Sequence, residues 1–158
     1  MAERLDKLAL ALGQRLRAAG LMLATAESCT GGWVAKVVTD IPGSSGWFDR
    51  GFVTYDNRAK QEILGVSAAA IADYGAVSEE VALAMAQGVL EHSWADVALA
   101  ITGIAGPTGG TEDKPVGTVC FAWVRAGWRP RTRRVWFAGN REAVRHQSVR
   151  FALEHLQW

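Results

Sequence analysis

The sequence predicts an α/β domain, a three-layer α/β/α sandwich built on a mixed, mostly parallel sheet. Three observations point there. Short apolar runs of strand length, residues 21–26 and 97–101, alternate with segments whose apolar residues recur every three or four positions. That alternation is what helices packed on the faces of a sheet require. Capping residues and glycines bracket the periodic segments, marking helix starts and stops. Finally, Ala126-Gly127-Trp128-Arg129-Pro130 is a tight turn between two strand-like runs, which needs at least one antiparallel strand.

In order along the chain, Leu5, Leu8, Leu12 and Leu16 give residues 3–19 one apolar helical face, ended by Gly20. Residues 21–26 read as a buried strand and 29–40 as a second helix. Ile41-Pro42-Gly43-Ser44-Ser45-Gly46 is a loop by its Pro, Gly and Ser content. Residues 51–55 predict a strand, and Asp56-Asn57 cap a short helix through Leu64. Ser67 opens another short helix that Gly75 closes. Ser78-Glu79-Glu80 opens a longer one to about His92, with Val81, Met85 and Val89 on one face. Residues 97–101 form a buried strand, 102–114 a glycine-rich loop, 116–125 a strand and 133–137 its hairpin partner. Asn140 caps the last helix, which carries Val144, Val149, Phe151 and Leu156.

A length of 158 residues fits one domain, 1–158, with a sizeable core. Hydrophobic residues at 49% and charged residues at 21% place the chain among ordinary globular proteins. A net charge of +1 gives no general attraction to nucleic acid or to an anionic membrane, so neither is an expected partner. Two cysteines, Cys29 and Cys120, stand in no metal or redox spacing. This argues against a disulfide scaffold and predicts a reducing cytoplasm. Residues 1–7 carry mixed charge with no signal-peptide core, and no apolar run reaches membrane-spanning length.

Three loops are expected at the carboxyl ends of the strands, where open α/β sheets bind ligands. The first is Ser28-Cys29-Thr30-Gly31-Gly32, a turn into a helix start. The second is Tyr55-Asp56-Asn57-Arg58-Ala59-Lys60, and the third runs from Thr102 and Gly103 through Gly106, Gly109 and Gly110. Together they offer a hydroxyl, a phenol, an amine and two glycine-rich turns. A lysine kept neutral by burial can take a serine proton, so the set resembles a serine–lysine amidase. No histidine stands near a nucleophile, which leaves a Ser-His-Asp triad without its base. Each piece also has a structural reading: Ser28 or Thr30 as an N-cap, Tyr55 as a strand-end aromatic, Lys60 as a solvated helix residue. Cys29 sits at the same helix start, where thiol pKa values fall, so a cysteine nucleophile is open on residues alone.

Six motifs in order resemble the CinA C-terminal domain family: Ala26-Glu27-Ser28-Cys29-Thr30-Gly31-Gly32, Pro42-Gly43-Ser44-Ser45, Tyr55-Asp56-Asn57-Arg58-Ala59-Lys60, Gly75-Ala76-Val77-Ser78, Thr102-Gly103-Ile104-Ala105-Gly106-Pro107 and Lys114-Pro115-Val116-Gly117-Thr118. The resemblance runs from about residue 5 to 156. It implies the activity of the family's stand-alone members, nicotinamide-nucleotide amidases. These convert nicotinamide mononucleotide to nicotinate mononucleotide and ammonia in pyridine-nucleotide salvage. It also implies an α/β/α fold, a homo-oligomer, and a reaction with no cofactor and no metal. By motif match Ser28 is the nucleophile, Lys60 the general base and Tyr55 its assistant, with Cys29 a packed small residue. Backbone amides near Thr30, Gly31 and Gly32 are expected to hold the oxyanion. The substrate phosphate is assigned to Gly106, Gly109 and Gly110 as a nest of amides, with Arg141 or Arg145 supplying charge. Apart from the resemblance, the seven tryptophans read mostly as core or interface, with stacking on a pyridine ring the second reading of Trp47, which stands in a loop. One departure is Trp47-Phe48-Asp49-Arg50-Gly51, where a smaller or more aliphatic lead into the strand is expected. The alternative class is a non-catalytic module holding a nucleotide or a partner. The arginines at 125, 129, 131, 133 and 134 read as a charged, solvated sheet edge rather than a nucleic-acid grip.

Overall fold

The computed structural model describes residues 2–158, with side chains from Arg4 onward. Met1, the first residue of the expected single unit, lies outside the described residues. The element order is α1 (Ala2–Ala19), β1 (Leu23–Glu27), α2 (Trp33–Thr39), a 3-10 turn (Ser44–Gly46), β2 (Phe48–Val53), α3 (Asn57–Leu64), α4 (Ala68–Tyr74), α5 (Glu79–Glu91), β3 (Val97–Gly103), β4 (Thr118–Arg125), β5 (Arg131–Trp136) and α6 (Arg141–Glu154).

The five strands form one sheet in the order β2-β1-β3-β4-β5. β1 pairs parallel with β2 and with β3, while β4 runs antiparallel to β3 and β5 antiparallel to β4. Four strands therefore point one way and β4 alone is reversed. The α/β class and the mixed sheet are as the sequence predicts.

Side-chain alternation along the strands builds two cores. Leu23, Val97, Leu99, Ile101, Val119, Phe121 and Trp123 face α1, α2 and α6. Ala24, Ala26, Ala98, Ala100, Cys120 and Ala122 face α3, α4 and α5. The first face is bulky and aromatic. The second is nearly all small, which brings α5 close enough for Met85 and Val89 to be fully buried on it. Each large apolar side chain so buried contributes about 1.5–3 kcal/mol.

The predicted caps form. Asp56, Ser67, Ser78 and Asn140 accept from the amides of Ala59, Ala70, Val81 and Ala143, each worth about 1 kcal/mol. Three local expectations change. α2 begins at Trp33 rather than residue 29, because Gly31 and Gly32 have φ of +61° and +99° and cannot sit in a right-handed helix. β2 begins at Phe48, so the departure seen at residues 47–51 is the strand itself. Trp47 is 2% exposed and packs over Gly13 of α1, where an added Cβ would lie 2.4 Å from its ring. It is a core residue with no face left for a pyridine ring.

Candidate active site

Ser28 is the first residue past β1. Its amide donates to Ile101 O on β3 at 3.0 Å, and Thr54 N donates to Glu27 O at 3.0 Å. These two bonds extend the ladder one step on each side, so Ser28 stands beside the Thr54-Tyr55 backbone. Asp56 then caps α3 and turns the chain back, and Lys60 falls one turn into the helix on its buried face, 2% exposed. Its Nζ lies 3.1 Å from Ser28 Oγ and donates to Thr54 O and Tyr55 O, both at 3.2 Å. The Ser28 hydroxyl also donates to Tyr55 O at 3.2 Å.

Burial pushes the Lys60 amine below its ordinary range, and the charge of Asp56 opposes this in part. The two carbonyls can take both N–H groups of a neutral amine, which leaves its lone pair to receive the serine proton when the hydroxyl turns from Tyr55 O. Cys29 is different. It is 5% exposed, and burial first, then the Glu27 charge, pushes its thiol up to about 12. A thiol there stays protonated at neutral pH and is a poor nucleophile.

The cleft beside Ser28 measures about 260 Å³ and is lined by Ser28, Cys29, Tyr55, Gly103, Gly106, Gly109 and Arg141, among others. Gly103 is required by close approach: a Cβ would lie 2.8 Å from Val119 and 3.0 Å from Cys29 Sγ. A larger cavity of about 420 Å³ between α1, α2 and α6 is lined by Leu5, Trp33, Val37 and His146 and has no serine, threonine or cysteine in its wall. The smaller cleft, with a serine hydroxyl beside a buried amine, is therefore the candidate site.

Several expected site residues serve other ends. The Tyr55 phenol accepts from Arg141 Nη2 at 2.9 Å and is not among the hydrogen-bond partners of Lys60; what Tyr55 brings to the pair is its backbone carbonyl. Arg141 Nη1 also donates to Gly106 O at 2.7 Å, so Arg141 does border the cleft. Arg145 does not line it. Its Nε and Nη2 donate to Cys29 O and Thr30 O at 3.0 and 3.3 Å, and its guanidinium lies over the Trp33 ring at 5.6 Å. The Gly31 amide donates to Ser28 O, and the Thr30 hydroxyl to Glu27. Gly32 is the left-handed N-cap of α2, and its carbonyl accepts from Lys36 N at 2.9 Å. The Thr102 hydroxyl donates to Ala76 O at 2.9 Å. Gly110 packs against the Val116 backbone, 2.6 Å from where its Cβ would be.

Glu27 is the residue that reading the sequence missed. It is 1% exposed, and its carboxylate accepts from Thr30 Oγ1 at 2.7 Å, Val34 N at 2.8 Å and Ala35 N at 3.1 Å. The helix start expected to hold the oxyanion is filled from within the chain by this carboxylate. Burial still pushes the Glu27 carboxyl up, with these hydrogen bonds pulling against it. The signal was present: a carboxylate ending a buried strand needs partners.

Among the described residues no three His, Cys, Asp or Glu side chains converge as a metal-holding group, and no helix is long and apolar enough to cross a membrane. The hairpin arginines contact their own chain: Arg125 lies over Trp128 and Arg133 over Phe151, and Arg134 bonds Asp113 O.

Residues 5–158 match the family described as the CinA C-terminal domain. The nicotinamide-nucleotide amidohydrolase PncC of Escherichia coli (strain K12) is 57% identical over 145 residues, which is 92% of this chain and 88% of that relative. Among solved structures, the competence/damage inducible protein CihA from Agrobacterium tumefaciens is similar with a TM-score of 0.93 and 44% identity, covering 96% of this chain and 92% of that one. A competence-damaged protein (CinA) superfamily protein from Escherichia coli gives 0.91 and 46%, covering 95% and 87%. With the sheet, its two helical layers and all six motifs inside the matched span, the chain belongs to the CinA C-terminal domain family.

Proposed function

We propose that this chain is an amidohydrolase that converts nicotinamide mononucleotide to nicotinate mononucleotide and ammonia, with Ser28 as nucleophile and Lys60 as base. The observation that carries the reading is the 3.1 Å contact between a buried lysine amine and a serine hydroxyl at the mouth of a cleft. The name of the 57% identical relative supports the substrate.

Neutral Lys60 takes the Ser28 proton as Oγ attacks the carboxamide carbon. The tetrahedral oxyanion is held by the backbone amide of Cys29, beside Ser28; one such donor is worth about 3–4 kcal/mol. The ammonium of Lys60 returns its proton to the departing nitrogen, which leaves as ammonia. Water then attacks the acyl-serine with Lys60 as base again, releasing the acid and restoring Ser28. No step calls on a metal or a cofactor. Arg141 and the Gly106 and Gly109 amides, on residues that line the cleft, are the groups available to the phosphate.

The same reading takes residues 1–158 as one catalytic unit acting on a small molecule in the cytoplasm, as a homo-oligomer. Exposed Trp94, Trp128 and Trp136 are apolar surface that such an assembly would cover. The test is ammonia release from nicotinamide mononucleotide by the purified chain and by Ser28→Ala. Turnover in the first and none in the second is expected. Nucleotide binding without turnover in both would make the chain a binding module instead.

A further inference from the structure

The turn that carries Ser28 has little stiffness of its own, since two of its residues are glycines at positive φ. It is gripped from two sides by charged groups that do not line the cleft. We propose that Arg145 and Glu27 are positioning residues for this turn, fixing its peptide planes so that the amide following the nucleophile faces the reacting carbonyl. This rests on the amidase reading above.

Peptide geometry carries the case. In a trans peptide the C=O and the next N–H point in opposite directions. Arg145 holds Cys29 O and Thr30 O, so the amides of Thr30 and Gly31 are turned away from the guanidinium. The Gly31 amide, so turned, donates to Ser28 O at 3.0 Å. That bond fixes the Ser28–Cys29 plane and sends the Cys29 amide away from the Ser28 carbonyl, on a residue that borders the cleft. Three consecutive planes are thus set from one guanidinium. On the other side Glu27 takes the Thr30 hydroxyl and the Val34 and Ala35 amides, tying the far end of the turn to α2. Trp33 backs the guanidinium, with its ring centroid 5.6 Å from the guanidinium carbon. A planar fork meets two adjacent carbonyls at once; a lysine ammonium does not reproduce that geometry.

The experiment measures kcat and KM of the wild type, Arg145→Lys and Glu27→Gln on nicotinamide mononucleotide and on nicotinamide riboside, which lacks the phosphate. Melting curves confirm folding. Positioning predicts a kcat loss of roughly 10- to 100-fold in both variants, equal on both substrates, with KM changed by less than about threefold. If Glu27→Gln does not fold, Arg145→Lys alone decides. A KM increase confined to the mononucleotide, with kcat kept, would make Arg145 a phosphate ligand and overturn the proposal. So would wild-type kinetics in Arg145→Lys. A wild type silent on both substrates overturns the amidase reading, and the proposal with it; an active wild type with either of the former results overturns the proposal alone.

Discussion

Lys60 Nζ and Ser28 Oγ lie 3.1 Å apart although 32 residues separate them, and the amine is held in place by two main-chain carbonyls rather than by any carboxylate. A carboxylate partner would stabilise the ammonium form and disable the base. Carbonyls orient the amine while leaving its charge exposed to the cost of burial.

Activity should therefore follow the titration of Lys60. Its folded pKa lies below its unfolded value of about 10.4. The pH–rate profile should be low in acid and rise through the depressed pKa. Lys60→Arg should be nearly inactive, because arginine keeps its proton. Near-normal turnover in that variant would assign the base elsewhere.

Stability carries the same sign. Below the folded pKa both states are protonated and the burial penalty on the ammonium is felt in full. Between the two values the unfolded chain binds a proton that the folded one does not, so stability rises with pH. Above the unfolded pKa the penalty is gone. Wild type should gain on Lys60→Met as pH increases through this window, read by denaturant unfolding at several pH values. A constant difference would show that the amine is not perturbed.

Asp56 is the one carboxylate that opposes this depression. Asp56→Asn keeps an N-cap of similar quality, so stability should change by less than about 1 kcal/mol. The acid limb of the rate profile should move to lower pH, and by less at high salt, since Asp56 is exposed. An unmoved limb would remove Lys60 as the titrating group.

Tyr55→Phe separates carbonyl from phenol. It deletes the hydroxyl that Arg141 bonds and leaves Tyr55 O on Lys60 and Ser28. The expected result is a raised KM with kcat within about threefold of wild type. A proton relay through the phenol would instead cost roughly 10²–10⁴ in kcat.

Cys29→Ala should retain most of the activity and lose about 1 kcal/mol of stability from the vacated space beside Gly103. Mass spectrometry after alkylation of the native protein should find Cys29 unmodified, given a thiol pushed up to about 12. Inactivation by alkylation at Cys29 would reopen the cysteine mechanism.

What the sequence makes legible here is what is decided locally. Asp56, Ser67, Ser78 and Asn140 announce helix starts because a cap acts within three residues. The strand at 97–103 is apolar on both faces because both are covered. Ser28 and Lys60 were legible through their motifs. The roles of Arg145 and Tyr55 were not, because both are set by distant main chain: Arg145 reaches carbonyls 115 and 116 residues away. A guanidinium looks equally fit for a phosphate or for two carbonyls until the fold brings one of them near. The second reading of Trp47 fails for the same reason, since Gly13, the helix residue its ring covers, lies 34 positions earlier in the chain.

β2 lies at the edge of the sheet, bonded on one side only, and much of its length is open to solvent. The chain from it to α3 is what delivers Lys60. Helices α1 and α6 can dock on β1, β3 and β4 without it, so a refolding molecule can recover most of its helix signal and aromatic burial while the amine is still absent from Ser28. The edge pairing is bonded on one side only and buries little, so it is the pairing most easily left open while the rest of the sheet is formed. Regain of turnover should then lag regain of circular dichroism, and enzyme activity becomes a clock for the docking of a single peripheral strand.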